Sequence, residues 1–122
     1  MVAEDTPINQ MVIKRLLQVL GRQADLVENG VQALEAWRGG GYAIILTDCH
    51  MPEMDGFALT AAIRAEEAAS GRRTPIIAFT AAATSEEVQQ CTTAGMDDFL
   101  SKPVNMEQLK ATLERWLDHD AG

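Results

Sequence analysis

Tyr42-Ala43-Ile44-Ile45-Leu46-Thr47-Asp48 runs directly into Cys49-His50-Met51-Pro52. The stretch stays apolar as far as Thr47, the pattern of a strand buried on both faces inside a parallel sheet. An acid at the tip of such a strand costs free energy unless something there uses its charge. Working outward, Glu4 and Asp5 end the first apolar segment, and Lys102-Pro103 follows the last one. Three carboxylates and one lysine, each at a strand end, point to one site for a divalent cation and a phosphoryl group.

The rest of the chain alternates short apolar runs with amphipathic stretches. Residues 1–3 read as a strand end. Thr6-Pro7 reads as an N-cap with proline at the first helical position, opening a helix over 7–20 that Gly21 stops. A second strand covers 24–27. Asn29-Gly30 is a turn into a helix reaching Trp37 or Arg38, which Gly39-Gly40-Gly41 breaks. The third strand covers 43–47, a loop covers 51–56, and an alanine-rich helix covers 57–69. After a polar connector at 70–73, a fourth strand covers 75–80. Ser85 caps a helix over 85–93 that ends at Gly95, a fifth strand covers 98–101, and Asn105 caps a last helix ending near Asp118. Five strands alternating with five helices predict an α/β fold with a doubly wound parallel sheet, helices on both faces and ligands at the carboxyl ends of the strands. Glu4, Asp5, Asp48, Thr80 and Lys102 all fall at those ends.

Composition narrows the function classes. The 122 residues, 47% apolar, fit one domain with a real core. No apolar stretch approaches the roughly 20 residues of a membrane span, and no signal peptide is visible, so the expected location is cytoplasmic, with no membrane contact by this chain. A net charge of −8 argues against nucleic-acid binding, which relies on Lys and Arg at phosphates. Cys49 and Cys91 form no CxxC and are expected as buried or half-buried free thiols. His50 beside Cys49 is too little for a zinc site.

At this point the chain resembles a response-regulator receiver domain of two-component signalling. The residues that carry the resemblance are Ala3-Glu4-Asp5, Asn29-Gly30, the run from Thr47 to Gly56, Pro75-Ile76-Ile77-Ala78-Phe79-Thr80-Ala81, and the run from Gly95 to Pro103. The match covers nearly the whole chain and looks most like the receiver of a hybrid sensor histidine kinase. It implies a flavodoxin-like (βα)5 fold with strand order 2-1-3-4-5. It implies that Asp48 is the phosphoacceptor, and that Mg²⁺ is held by Glu4, Asp5, Asp48 and the backbone carbonyl of His50. Thr80 is the hydroxyl that moves toward the phosphoryl group, Lys102 contacts a phosphoryl oxygen, the Lys102-Pro103 bond is cis, and Phe99 is the switch aromatic. The implied partner is a histidine kinase or a histidine phosphotransfer domain. The resemblance then implies no enzyme in the isolated chain beyond self-catalysed phosphorylation and dephosphorylation, and a membrane-anchored hybrid histidine kinase as the expected parent protein.

Taken singly, these residues have plainer readings. Glu4-Asp5 could be a solvated helix entry, Lys102 a surface charge, Phe99 a core aromatic, and His50 a loop residue using only its backbone. Cys49 and Met51 read as packing. Competing functions fare worse. A haloacid-dehalogenase type phosphatase wants Asp-x-Asp, whereas His50 stands two after Asp48. A flavodoxin-like flavin carrier wants a phosphate loop where Glu4-Asp5 would repel phosphate. The alternative kept is a degenerate receiver that binds partners without phosphorylation. His50 and Ala82 hold the two positions, after Asp48 and after Thr80, that would orient an attacking water; neither is an acid or amide, which predicts slow self-dephosphorylation.

The first helix carries more apolar surface than one contact needs. At 100° per residue, Ile8, Val19, Val12, Leu16, Leu20, Ile13 and Leu17 span about 180°, with Met11 beyond one edge, against the 100° or so that packing on one face requires. The excess is either buried by neighbouring helices or a docking patch of Ile8, Met11 and Val19; the resemblance favours docking. The last helix has a narrower stripe of Met106, Leu109, Leu113, Trp116 and Leu117, as core packing requires. Two departures stand out. Only Met1, Val2 and Ala3 precede the acid pair, as in a domain excised from a larger protein with its first strand shortened. Thr6 stands where hybrid receivers often carry Asn.

Overall fold

The computed structural model describes every residue except 23, 24, 41, 43, 52, 72, 81–83, 102, 103 and 119–122, and describes the backbone alone at 117 and 118. Its elements in order are β1 (Val2–Ala3), α1 (Pro7–Val19), β2 (Leu26–Val27), α2 (Gly30–Arg38), β3 (Ile45–Asp48), α3 (Gly56–Ser70), β4 (Ile76–Thr80), α4 (Ser85–Ala94), β5 (Asp98–Ser101) and α5 (Met106–Leu113). A π-helical turn over Glu114–Asp118 continues α5. All strand pairs are parallel and the order is β2-β1-β3-β4-β5, the expected flavodoxin-like arrangement.

Successive residues of a strand point to opposite faces, and the core divides accordingly. Ile45, Ile76 and Ala78 face Ala33, Leu34, Leu59, Ile63 and Cys91 from α2, α3 and α4. Leu46, Ile77 and Phe79 face Ile13, Leu17, Leu109 and Leu113 from α1 and α5. Residues 44–47 are all buried, as the apolar run predicted.

The helix starts follow capping chemistry. Asn29 accepts from Gln32 N–H at 2.9 Å, Asp55 from Ala58 N–H at 2.8 Å and Asn105 from Gln108 N–H at 2.8 Å. At α4 the cap is Thr84, which accepts from Glu87 N–H at 3.2 Å, so the expected cap, Ser85, is the first helical residue instead. Thr6 occupies the cap position of α1 but its side chain makes no capping bond. Glu4 Oε1 accepts the N–H of Thr6 itself at 3.4 Å and the side-chain Asn9 Nδ2 at 3.0 Å, which ties the helix entry to the strand end without capping the first-turn N–H groups. Gly71 and Gly95 end α3 and α4 at φ of 75° and 103°, in the left-handed region that suits glycine.

The strands differ from expectation by a residue or two at their ends. β4 starts at Ile76 because Pro75 has no N–H for the ladder, although its carbonyl accepts Ile45 N–H at 2.9 Å. β3 starts at Ile45 and includes Asp48 itself; Ala43, expected in it, lies outside the described residues, as does Ala24 of the expected second strand. α1 ends at Val19, one residue early, before Gly21 turns left-handed at φ 76°. β1 is only two residues long but is central, paired with β2 on one side and β3 on the other.

Candidate phosphoacceptor site

Parallel pairing brings the ends of β1 and β3 together. Ala3 is in register with Thr47, so Glu4 and Asp5 leave β1 where Asp48 closes β3. Carboxylate oxygens of Glu4, Asp5 and Asp48 lie within 4.8 Å of one another. Glu4 is fully buried, Asp48 half-buried and Asp5 exposed, so the cluster opens from the core toward solvent. The three charges repel at such range, and a cation between them relieves the repulsion.

The loop after Asp48 is held tightly. Cys49 N–H donates to Phe79 O at 3.3 Å, His50 N–H approaches Asp48 Oδ1 at 3.4 Å, and Gly56 N–H returns to Cys49 O at 3.0 Å. A Cβ on Gly56 would lie 2.3 Å from Asp48 O, and one on Gly30 would lie 2.3 Å from Met54 O. Both glycines are therefore required by close backbone approach. Gly30 N–H also donates to Met54 O at 2.9 Å, which pins the loop to the start of α2. The imidazole of His50 is exposed and stands edge-on to Phe57, with ring centroids 5.9 Å apart.

Asp48 is in register with Phe79, so Thr80 lies one residue further along β4, buried, opposite Ser101 of β5. Lys102 follows Ser101 directly but, with the Lys102-Pro103 bond and Ala82, it lies outside the described residues. Phe99, in register with Ala78, is 37% exposed rather than a core aromatic. It borders a depression of about 160 Å³ with Val88, Cys91, Thr92 and Met96.

The three acids fit a small divalent ion. Their donor set is all hard oxygen, and trans ligands in an octahedron around Mg²⁺ sit about 4.2 Å apart, comparable with the spread of the carboxylate oxygens. Cys49 and Cys91 are buried free thiols, and burial pushes both above the usual thiol range. They are packing groups and no ligands for such an ion.

The family model for the response regulator receiver domain matches residues 1–114. The chain belongs to the response regulator receiver domain family. Within that family it is like the receivers of hybrid sensor histidine kinases. The receiver is 43% identical over 120 residues to the hybrid signal transduction protein dokA of Dictyostelium discoideum, covering 98% of this chain but only 7% of dokA. It superposes with a TM-score of 0.87 on the receiver domain of sensor histidine kinase PA1611 from Pseudomonas aeruginosa PAO1, at 43% identity, covering 96% of this chain and 94% of the other. That structure holds a magnesium ion in its active-site cleft. The receiver domain of Ssk1 from Saccharomyces cerevisiae, crystallised with the histidine phosphotransfer protein Ypd1, gives a TM-score of 0.93 at 28% identity, covering 99% of this chain and 89% of that one.

Sequence reasoning missed a second charged cluster in the receiver. Arg64 Nη1 meets Glu67 Oε1 at 2.5 Å and Arg64 Nη2 meets Asp97 Oδ2 at 2.7 Å, while Arg73 Nη2 meets Asp97 Oδ1 at 2.6 Å. Glu67 and Asp97 are almost wholly buried there. The spacing of Arg64 and Glu67, three apart on a helix, was a visible signal; the approach of Asp97, far along the chain, was not.

Proposed function

We propose that this receiver accepts a phosphoryl group on Asp48 from a phosphohistidine of a histidine kinase or histidine phosphotransfer domain. The observation that carries the reading is the convergence of Glu4, Asp5 and Asp48 at the carboxyl ends of β1 and β3, in a chain that matches the receiver family almost throughout. A carboxylate oxygen of Asp48 attacks phosphorus, the bond from phosphorus to the donor imidazole breaks, and its electron pair stays on that nitrogen. The product is an acyl phosphate. Placing a negative group on a carboxylate needs positive charge held in advance. Glu4, Asp5, Asp48 and the carbonyl of His50 would hold Mg²⁺, which supplies that charge and orients the phosphoryl oxygens.

The protein's own groups then position and respond. Lys102 would pair with a phosphoryl oxygen, and Thr80 would donate a hydrogen bond to another. The shift of Thr80 would free space for Phe99, which now stands partly exposed beside the depression next to α4. Such a switch needs a difference of only a few kcal/mol between two states.

The partner would dock on α1. Ile8 and Met11 are each 72% exposed and Val19 is 62% exposed, so neighbouring helices do not bury the excess apolar arc. The patch starts three residues after Asp5, beside the site. The Ypd1–Ssk1 complex of a similar receiver supports a partner that carries the histidine. The parent protein would be a hybrid kinase, in which this chain is the receiving part. No helix among the described residues is long and apolar enough to cross a membrane.

The decisive experiment gives the chain a labelled phosphohistidine donor, with and without Mg²⁺. Label should appear only with Mg²⁺ and vanish in Asp48→Ala. Label that survives in Asp48→Ala would refute the assignment, and no labelling in the parent would leave an interaction module in its place. The phosphorylated state should persist for far longer than seconds, because neither His50 nor Ala82 can orient an attacking water as an acid or amide would.

A further inference from the structure

Two contacts join α4 to the residues that immediately follow Asp48. Glu87 Oε1 lies 3.6 Å from His50 Nε2, and Cys91 Sγ lies 3.9 Å from Cys49 Sγ. Glu87 and Cys91 are four apart on α4 and so share one face of it. Cys49 and His50 are consecutive. One face of α4 therefore meets the acceptor loop at two successive residues.

Glu87 is costly where it stands. Its side chain is only 16% exposed, and among the described residues its buried Oε1 accepts no hydrogen bond. A buried oxygen without a donor destabilises a fold and calls for an explanation. The start of α4 favours an acid here, since Glu86 and Glu87 both lie in its first turn and Glu87 stands three residues after the Thr84 cap, but that does not give the buried Oε1 a donor. Close to it among the described residues is the His50 imidazole, which also packs edge-on to Phe57. The gap of 3.6 Å is just beyond hydrogen-bond reach, and a small shift of the loop closes it. A neutral ring with its proton on Nε2 is a sufficient donor, so no change of charge is needed.

We propose that Glu87 is a positioning residue for the acceptor site: it holds the His50 imidazole, and through it the stretch of backbone whose carbonyl would help hold the metal, so that α4 and the metal site report on each other. The inference rests on the Mg²⁺ assignment made above. His50, whose carbonyl would help hold Mg²⁺, would be drawn closer to Glu87 when the site is filled. By reciprocity, an α4 that holds His50 raises the affinity for metal, and bound metal orders α4.

The test measures Mg²⁺ binding by calorimetry for the parent, Glu87→Ala, His50→Ala, the double variant, Glu87→Gln and Glu86→Ala. Amide hydrogen exchange over residues 85–94 is followed with and without Mg²⁺. Glu87→Ala should weaken Mg²⁺ by about threefold, the scale of coupling between groups in contact. It should have little effect once His50 is alanine. Glu87→Gln, which keeps an acceptor oxygen and the side-chain shape, should retain most of the affinity, and it serves as the probe if Glu87→Ala does not fold. Mg²⁺ should slow exchange in α4 of the parent and not of Glu87→Ala. An equal loss in both His50 backgrounds, or one matched by Glu86→Ala, would mean that Glu87 acts only as a distant charge and would overturn the proposal. So would unchanged affinity, or exchange in α4 indifferent to Mg²⁺ in the parent. A parent that binds no Mg²⁺ would instead refute the metal assignment itself, and this inference with it.

Discussion

At the start of β4 and β5, Asp97 receives Arg64 at 2.7 Å and Arg73 at 2.6 Å, and also accepts Ile76 N–H at 2.9 Å. At the other end of the sheet, Glu4, Asp5 and Asp48 bring three carboxylates within 4.8 Å of one another. Both clusters gather acids at strand ends. In the first, opposite charges and backbone donors satisfy buried carboxylates, and the result is a fixed corner joining α3, β4 and β5. In the second, like charges are concentrated, the arrangement in which a cation bound among them would relieve the repulsion.

The comparison breaks first at the arginine corner. Arg64→Ala leaves Glu67 and Asp97 buried without their guanidinium, and should cost about 3 kcal/mol in urea unfolding, since removing one partner of a buried pair is far worse than the pair is good. A loss of a few tenths would mean that the corner is as dispensable as a surface pair. The acid site should respond with the opposite sign. Asp48→Asn removes one of three mutually repelling charges and should raise stability without Mg²⁺ by about 1 kcal/mol. Added Mg²⁺ should stabilise the parent in proportion to its binding and Asp48→Asn much less. Destabilisation by Asp48→Asn in metal-free buffer would show that the three acids are not under tension. The smallest effect belongs to Arg73, whose side chain is 62% exposed. Arg73→Ala should cost less than about 0.5 kcal/mol, because solvent screens the pair and Arg64 still holds Asp97.

The acid site was readable because each of its members sits beside a local signal. Asp48 ends an apolar run, Glu4-Asp5 ends another, and the parallel α/β alternation carries all such ends to one edge. Glu67 gave only its spacing from Arg64, and no sign that it would be buried. It stands in an alanine-rich helix, where a glutamate ordinarily marks the solvent face, and only the packing of α3 against the start of β4 and β5 buries it beside Asp97. The contacts of Glu4 with the entry to α1 were hidden for the opposite reason. Thr6-Pro7 is a sound capping signal, yet the Thr6 side chain makes no capping bond, and the buried carboxylate two residues earlier accepts the N–H of Thr6 and the Asn9 side chain.

The sequence by itself determined the alternation of strands and helices, the parallel sheet and the acids at its carboxyl edge, because periodicity and strand-tip charge are local properties of the chain. It also determined that α1 carries too wide an apolar arc for one contact. Whether that arc was covered depended on where the neighbouring helices lie, and the tertiary structure leaves Ile8, Met11 and Val19 in solvent. The same is true of Glu87 facing His50 and Arg64 reaching Asp97. These pairs join residues that are distant along the chain, and their meeting depends on the angle and depth at which each helix packs on the sheet, which no local pattern specifies.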